Sequence, residues 1–140
     1  MRAGFLRAIR VVGWAALASV HAACGWIGFE DLSNVGDDFD PPVVVTDLSS
    51  ASLDSGATFS QDGLMAVVAS TRSGGAGGFD LWMASRSDRG APFDLPAPMT
   101  IANSAGTDAD PILSADDREL FYSSARDEGR MLWRVVRECR

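Results

Sequence analysis

Two stretches of the chain repeat one another at a spacing of 54 residues, and this repetition limits the fold more than any other feature. The stretch FDPPVVVTDLSSASLDSGATFSQDG begins at Phe39, and FDLPAPMTIANSAGTDADPILSADD begins at Phe93. From Phe39 to Arg72, 11 of the 34 residues are identical to the residue 54 positions later, without a gap. Self-similarity at a fixed period is the signature of an architecture built from stacked units.

The repeat continues beyond Arg72 after a shortening of three residues in the second copy. We therefore divide the chain into repeat 1 (39–92) and a shorter repeat 2 (93–140). The matched positions that we single out as structural motif residues are Asp54 and Asp108, Ser60 and Ser114, Asp62 and Asp116, Arg72 and Arg126, and Trp82 and Trp133. Two further motif residues are replaced in the second copy, namely Gly63 by Asp117 and Asp80 by Met131.

Both copies have the pattern of an all-β protein. Runs of four to eight apolar and β-branched residues, such as LMAVVAS and ELFYSS, are separated by the turns QDG and ADD and by a Gly-rich loop. The runs are too short for independent helices. Several are apolar on both faces, which indicates small sheets packed between neighbours.

The two copies resemble the repeats of TolB-like β-propellers. ATFSQDGLMAVVASTRSGGAGGFDLWMASR and DADPILSADDRELFYSSARDEGRMLWRVVR match the pattern of Ser-Pro-Asp-Gly, an apolar strand ending in Ser-x-Arg, a Gly-rich loop and Asp-Leu-Trp. The resemblance covers about residues 42–137, and Gln61 and Ala115 depart from it by replacing the usual proline. It implies two four-stranded antiparallel blades of an incomplete β-propeller.

The phase of the repeat predicts that Pro42–Leu48 is the outer strand of a blade whose other strands lie elsewhere. Two repeats are fewer than the four to eight blades of a typical ring. Three outcomes follow: a truncated piece of a longer propeller, which we favour, an oligomer such as a trimer of two-blade units, or a small β-sandwich.

The N-terminus has the pattern of an export signal. Three arginines precede the apolar stretch VVGWAALASV, and HAAC supplies small residues before Cys24. We predict a signal peptide over 1–23 and a tether over 24–38. Ala22, Ala23 and Cys24 resemble the lipobox of bacterial lipoproteins, although His21 stands where an aliphatic residue is usual. If Cys24 is lipidated, Cys139 has no partner; if it is not, a disulfide between the two becomes possible.

Removal of 1–23 leaves nine arginines against nineteen acidic residues, a formal charge of −10. This charge disfavours nucleic-acid binding. The only histidine, His21, would leave with the signal, so the remaining chain lacks an imidazole for a catalytic triad or a metal site. We predict no enzyme activity, no catalytic residues, no metal site and no cofactor.

The motif residues have structural interpretations that we favour over functional ones. Asp62-Gly63 suits a tight turn, with Ser60 bonding nearby backbone. Arg72 and Arg126 would pair with Asp62 and Asp116 or with carbonyls of a neighbouring blade, rather than form an anion-binding ring. Turn and capping roles for Asp54, Asp108 and Asp110 are favoured over calcium binding, and core positions for Trp82 and Trp133 over a carbohydrate platform.

The resemblance implies a non-catalytic binding platform in the cell envelope of a Gram-negative bacterium. Its partner would be an envelope protein or peptide, and it would meet the membrane only through a lipid at Cys24. The alternatives are the detached propeller of a prolyl-oligopeptidase-like peptidase and a lectin-like homo-oligomer. The peptidase would require a Gly-x-Ser-x-Gly elbow and a histidine in a further domain.

Overall fold

The short apolar runs of the two repeats form strands, because turn residues separate them before any helix could propagate. A computed structural model describes residues 40–138, which contain strands and turns but no helix. The all-β prediction is therefore confirmed for these residues. The predicted signal peptide, the tether, Cys24 and Cys139 lie outside the described residues.

Seven strands form two antiparallel sheets. The first sheet has the order β1-β2-β3-β4 and consists of β1 (Asp54–Phe59), β2 (Met65–Ser70), β3 (Asp80–Ser85) and β4 (Ala97–Pro98). The second has the order β5-β6-β7 and consists of β5 (Asp108–Leu113), β6 (Glu119–Asp127) and β7 (Gly129–Val136). Both are meanders, in which each strand pairs with the next one along the chain.

The fourth strand of the first sheet comes from repeat 2. β4 lies at the start of that repeat, yet it pairs with β3, with Trp82 opposite Pro98 and Met83 opposite Ala97. Pro98 lacks an N–H, so it suits this edge position. The boundary between the sheets therefore does not coincide with the boundary between the repeats.

Two expectations about the outer strands were wrong. The second sheet has three strands among the described residues rather than four. Pro42–Leu48 does not form a strand; the Val45 carbonyl accepts the N–H groups of Leu48 at 3.2 Å and Ser49 at 3.0 Å, which makes a single turn. An extended segment needs a neighbour for its backbone hydrogen bonds, and no described strand pairs with this one.

The backbone conformation is similar in the two repeats even at positions where the residues differ. Gly63 and its counterpart Asp117 both have positive φ, 71° and 57°. Gly56 and its counterpart Asp110, with φ of 48° and 56°, lie at irregularities in the β1–β2 and β5–β6 pairings. Asp tolerates this region better than most side chains, so it can replace Gly at both sites.

The core has two layers because β2 is apolar on both faces. Between the sheets, Val67 and Ala69 belong to a buried cluster with Leu81, Ala102, Ala109, Leu120 and Tyr122. On the opposite face, Ala66 and Val68 belong to a cluster with Leu48, Trp82 and Ala84. The turn that contains Leu48 thus covers the outer face of the first sheet, and the segment that contains Ala102 lies between the two sheets.

Candidate binding groove

Arg72 ties together three segments of repeat 1. Its Nη2 lies 3.0 Å from Oδ1 of Asp54 and donates to the carbonyl of Leu48 at 2.6 Å. Its Nε donates to the hydroxyl of Ser70 at 3.0 Å. One guanidinium therefore joins the start of β1, the end of β2 and the turn that covers the sheet.

Arg126 makes the equivalent contacts in repeat 2. It donates to the carbonyl of Ala102 and to the hydroxyl of Ser124 at 3.0 Å, and it lies 3.5 Å from Oδ1 of Asp108. Asp108 is fully buried, and its other oxygen accepts the N–H and hydroxyl of Ser104 at 2.6 and 2.8 Å. A buried carboxylate needs such partners.

The carboxylates that we expected to pair with these arginines bind elsewhere. Asp62 accepts the Ser60 hydroxyl at 2.6 Å and the Leu64 N–H at 2.9 Å. Asp116 accepts the Ser114 hydroxyl at 2.6 Å and an N–H of the same turn. These hydrogen bonds lower the pKa of both carboxyls. The turns are closed locally, so their carboxylates do not reach arginines at the far ends of the strands. The carbonyls that the arginines contact, those of Leu48 and Ala102, lie in the same repeat as the arginine rather than in a neighbouring one.

The two tryptophans occupy equivalent but differently covered positions. Trp82 is 4% exposed and lies in the cluster on the outer face of the first sheet, with the Arg72 guanidinium 5.4 Å from its ring. Trp133 is half-buried beside the core between the sheets, with Arg126 4.4 Å from its ring. One ring therefore lies in a core cluster and the other beside one.

Asp80 closes the Gly-rich loop before β3. It is 1% exposed, and its Oδ2 accepts the N–H groups of Ala76 and Gly77 at 3.0 and 3.1 Å. A Cβ on Gly75 would lie 2.1 Å from the same oxygen, so only glycine fits there. The loop is shorter in repeat 2. The counterpart of Asp80 there is Met131, which is exposed and does not close a loop.

A groove of about 370 Å³ opens between the two sheets at the end that carries the DG and DD turns. Its floor and walls come from strands of both sheets and from the segment after β4. The apolar residues that line it are Met65, Val67, Met83, Met99, Ile101, Leu113, Leu120, Val135 and Val136. The rim is polar and consists of Asp117, Arg118, Glu119 and Arg137.

One side chain of the rim joins the two sheets. Both carboxylate oxygens of Asp117 accept the N–H of Gln61, at 3.1 and 3.0 Å, which connects the turn of one sheet to the turn of the other. The N–H of Arg137 donates to the carbonyl of Arg118 at 2.7 Å and extends the pairing of β6 with β7 to the rim. The two turns at this end of the groove are therefore hydrogen-bonded to one another.

Sequence reasoning identified none of the groove residues. Three of the five methionines of the chain, Met65, Met83 and Met99, line the groove, and Met83 is 42% exposed. Methionine is flexible and polarizable, and it is often used where a surface must adapt to varied ligands. The signal that the sequence offered was a methionine in each of the strand-like runs LMAVVAS, FDLWMASR and APMTIA.

Within residues 40–138, no group of three or more His, Cys, Asp or Glu side chains could hold a metal ion. No helix in this part of the chain is long and apolar enough to cross a membrane. Comparisons with protein-family models, with curated proteins and with solved structures found no match.

Proposed function

We propose that this chain is a non-catalytic binding protein of the bacterial cell envelope, built from TolB-like propeller repeats, whose groove takes a peptide or an exposed segment of another protein. The groove is the observation that carries the proposal. It combines an apolar floor with a rim of two arginines and two acidic residues. Concave apolar surfaces with a few polar groups are the usual form of a binding site.

The propeller interpretation is supported by the way the sheets are built. Each sheet is a meander, and the first receives its fourth strand from the start of the next repeat. This arrangement is what a chain of blades with the present phase requires. In a sandwich of Greek-key type, connections would instead cross from one sheet to the other.

The chemistry of the groove favours an apolar or amphipathic segment as ligand. Met83 and Ile101 are 42% and 77% exposed, so a ligand would remove their side chains from water. Burial of apolar surface contributes about 25 cal/mol per Å² before the costs of association. Arg118 and Arg137 on the rim can orient a carboxylate of the ligand.

A selection from a library of random 12-residue peptides tests this proposal. We expect enriched peptides to bind the purified chain and to lose at least tenfold in affinity on Met83→Glu or Ile101→Glu, because a charge would enter the apolar groove. Leu95→Glu is the matched control, since Leu95 is 91% exposed and lies outside the groove. Peptides that bind all three variants equally, or no enrichment at all, would refute the proposal.

The envelope location rests on the N-terminal sequence. If Cys24 is lipidated, radiolabelled palmitate will be incorporated into the chain in a Gram-negative host, and Cys24→Ser will abolish the label. If Cys24 instead pairs with Cys139, mobility on a non-reducing gel will change on reduction, and Cys139→Ser will remove that change. Recovery of an unprocessed chain in the cytosolic fraction would contradict export.

A further inference from the structure

The outer edge of β7 lacks a partner among residues 40–138, although its counterpart in repeat 1 has one. β7 pairs with β6 along one edge only. In the first sheet, the equivalent strand β3 carries β4 on that edge. The counterparts of Trp82 and Met83 on β7 are Trp133 and Arg134, so these two residues mark where a fourth strand would attach.

The counterpart of β4 in repeat 1 is the dipeptide Val43–Val44, which lies 54 residues before Ala97–Pro98. It pairs with no described strand, and its side chains are 86% and 74% exposed. Within residues 40–138, Val43–Val44 therefore corresponds to an outer strand but pairs with no sheet, and β7 has a free edge at the position where an outer strand would pair.

We propose that Val43–Val44 of one copy of this chain pairs with the outer edge of β7 in a second copy. The pairing between β3 and β4 sets the register: Val44 lies opposite Trp133, and Val43 lies opposite Arg134. This inference rests on the repeat equivalence used in the proposed function, but it concerns a surface other than the groove.

Backbone hydrogen bonds within the chain provide the template for this contact. The N–H of Met99 donates to the carbonyl of Leu81 at 2.9 Å, and the N–H of Asp94 donates to the carbonyl of Ser85 at 2.7 Å. The corresponding pairs between copies are Val45 with Leu132 and Asp40 with Val136.

Side-chain burial follows the same equivalence. Leu81 faces the second sheet and is fully buried, whereas its counterpart Leu132 is 74% exposed on the outer face of that sheet. Ala102 contributes to the cluster that covers Leu81, and the counterpart of Ala102 is Leu48. In the proposed contact, the turn that contains Leu48 covers Leu132 of the second copy.

The two surfaces have complementary charge. β7 contains Arg130 and Arg134 and no acidic residue, whereas residues 40–54 contain three aspartates and no basic residue. Met83 and Ile101 line one groove within the chain. Their counterparts are Arg134 and Asp47, so an apolar pair inside the chain corresponds to an ion pair between copies.

Arg134 can pair with Asp47 of the other copy in addition to Glu119 of its own chain. It already contacts Glu119 at 2.6 Å, yet its side chain is 55% exposed, and a guanidinium has five donors. Asp47 is also exposed, with one carboxylate oxygen 3.3 Å from the N–H of Phe93. The contact uses different surfaces on the two copies, so it closes into a ring or propagates as a fibre according to its rotation.

Cross-linking between separately tagged copies tests the register. In a Cys24→Ser, Cys139→Ser background, one copy carries Val45→Cys and the other Leu132→Cys, which leaves Asp47 and Arg134 in place, and a short bismaleimide is added to the mixture. We expect a product that contains both tags. Val45→Cys mixed with Ile112→Cys is the control, because Ile112 is 63% exposed but lies on β5, at the opposite edge of the same sheet. Equal cross-linking in the two mixtures, or none in either, overturns the proposal.

Charge reversal provides an independent measurement. We expect Asp47→Arg or Arg134→Asp alone to lower the mass measured by light scattering to that of one copy, and the two together to restore at least part of the association. Single variants with unchanged mass would contradict the contact. Peptide binding by the groove is measured on the same samples, so a failure of assembly with intact peptide binding rejects this inference alone, and the converse rejects the proposed function alone.

Discussion

The Nη2 atom of Arg72 lies 3.0 Å from Oδ1 of Asp54. The two residues are 18 positions apart in the sequence, because Asp54 begins β1 and Arg72 follows the end of β2. Arg72 is largely buried, with 13% of its side chain exposed. The contact holds the end of β2 against the start of β1, and the equivalent pair Arg126 and Asp108 does the same in repeat 2.

Substitution of Arg72 by Lys is expected to lower the free energy of unfolding by about 1–3 kcal/mol. Lys cannot form the fork that reaches Asp54, Ser70 and the Leu48 carbonyl together. Denaturant titration measures the change. Arg118→Lys is the control, because Arg118 is exposed on the groove rim, and it should change stability by less than about 0.5 kcal/mol. Equal effects of the two substitutions would remove the structural role given to Arg72.

Acid is expected to weaken the chain through Asp54. Partial burial opposes ionisation of this carboxyl, but hydrogen bonds from Ser70, Ser50 and Arg72 outweigh it and lower the pKa from 3.8 to about 2. Because the folded-state pKa is depressed, the stabilisation is complete above pH 3.8 and is lost as the pH falls towards 2.

Comparison with Asp54→Asn isolates this contribution. The variant is expected to be less stable than the parent at pH 7, and the difference between the two should shrink as the pH is lowered from 4 to 2. Unfolding by denaturant at each pH measures it. A stability difference that is constant over this range would show that ionisation of Asp54 is not involved.

Gly63→Ala is expected to destabilise the chain by about 1–2 kcal/mol, because a left-handed conformation disfavours a Cβ by that amount. Gly63 has φ of 71°, and the added carbon would lie 3.3 Å from Nε of Arg89. Gly90→Ala is the matched control, since Gly90 is not among the positive-φ glycines and its Cβ would meet only Asp88 at 3.4 Å. Thermal unfolding measures both, and similar losses would contradict the turn geometry.

Leu81 and Leu132 occupy equivalent positions but should respond differently to truncation. Leu81→Ala creates a cavity in the core between the sheets and is expected to cost about 2–5 kcal/mol. Leu132→Ala removes an exposed side chain and should change the stability of a single copy by less than about 0.5 kcal/mol. Measurement at a dilution where light scattering gives the mass of one copy keeps association out of the comparison. Comparable losses would show that the two sheets are covered alike.

The sequence predicted the positions of the strands and turns better than it predicted which segments and side chains contact each other. Ser60, Asp62 and Gly63 form a turn whose hydrogen bonds join residues at most five positions apart, so their pattern is legible in the sequence. The partner of Arg72 depends on which side chains the folded sheet brings to its end, and the expected pairing with Asp62 was wrong.

The outer strands illustrate the same limit. Pro42–Leu48 has a strand-like composition, but it is irregular and ends in a turn over 46–48, because no described strand pairs with it. Ala97–Pro98 is no better a strand by composition, yet it pairs because β3 lies beside it. A strand forms only when a second segment pairs with it, so the composition of one segment is not enough to predict a strand.

The sequence by itself determined the all-β class and the 54-residue equivalence between the repeats, because short β-forming runs, turn residues and repeated identities can be recognised without knowing which segments contact each other. Only the tertiary structure decided that Leu81 is buried while Leu132 is exposed, and that three methionines line a groove. Burial depends on which sheet stands opposite, and equivalent positions of the two repeats receive different neighbours because Leu81 faces the other sheet and Leu132 does not.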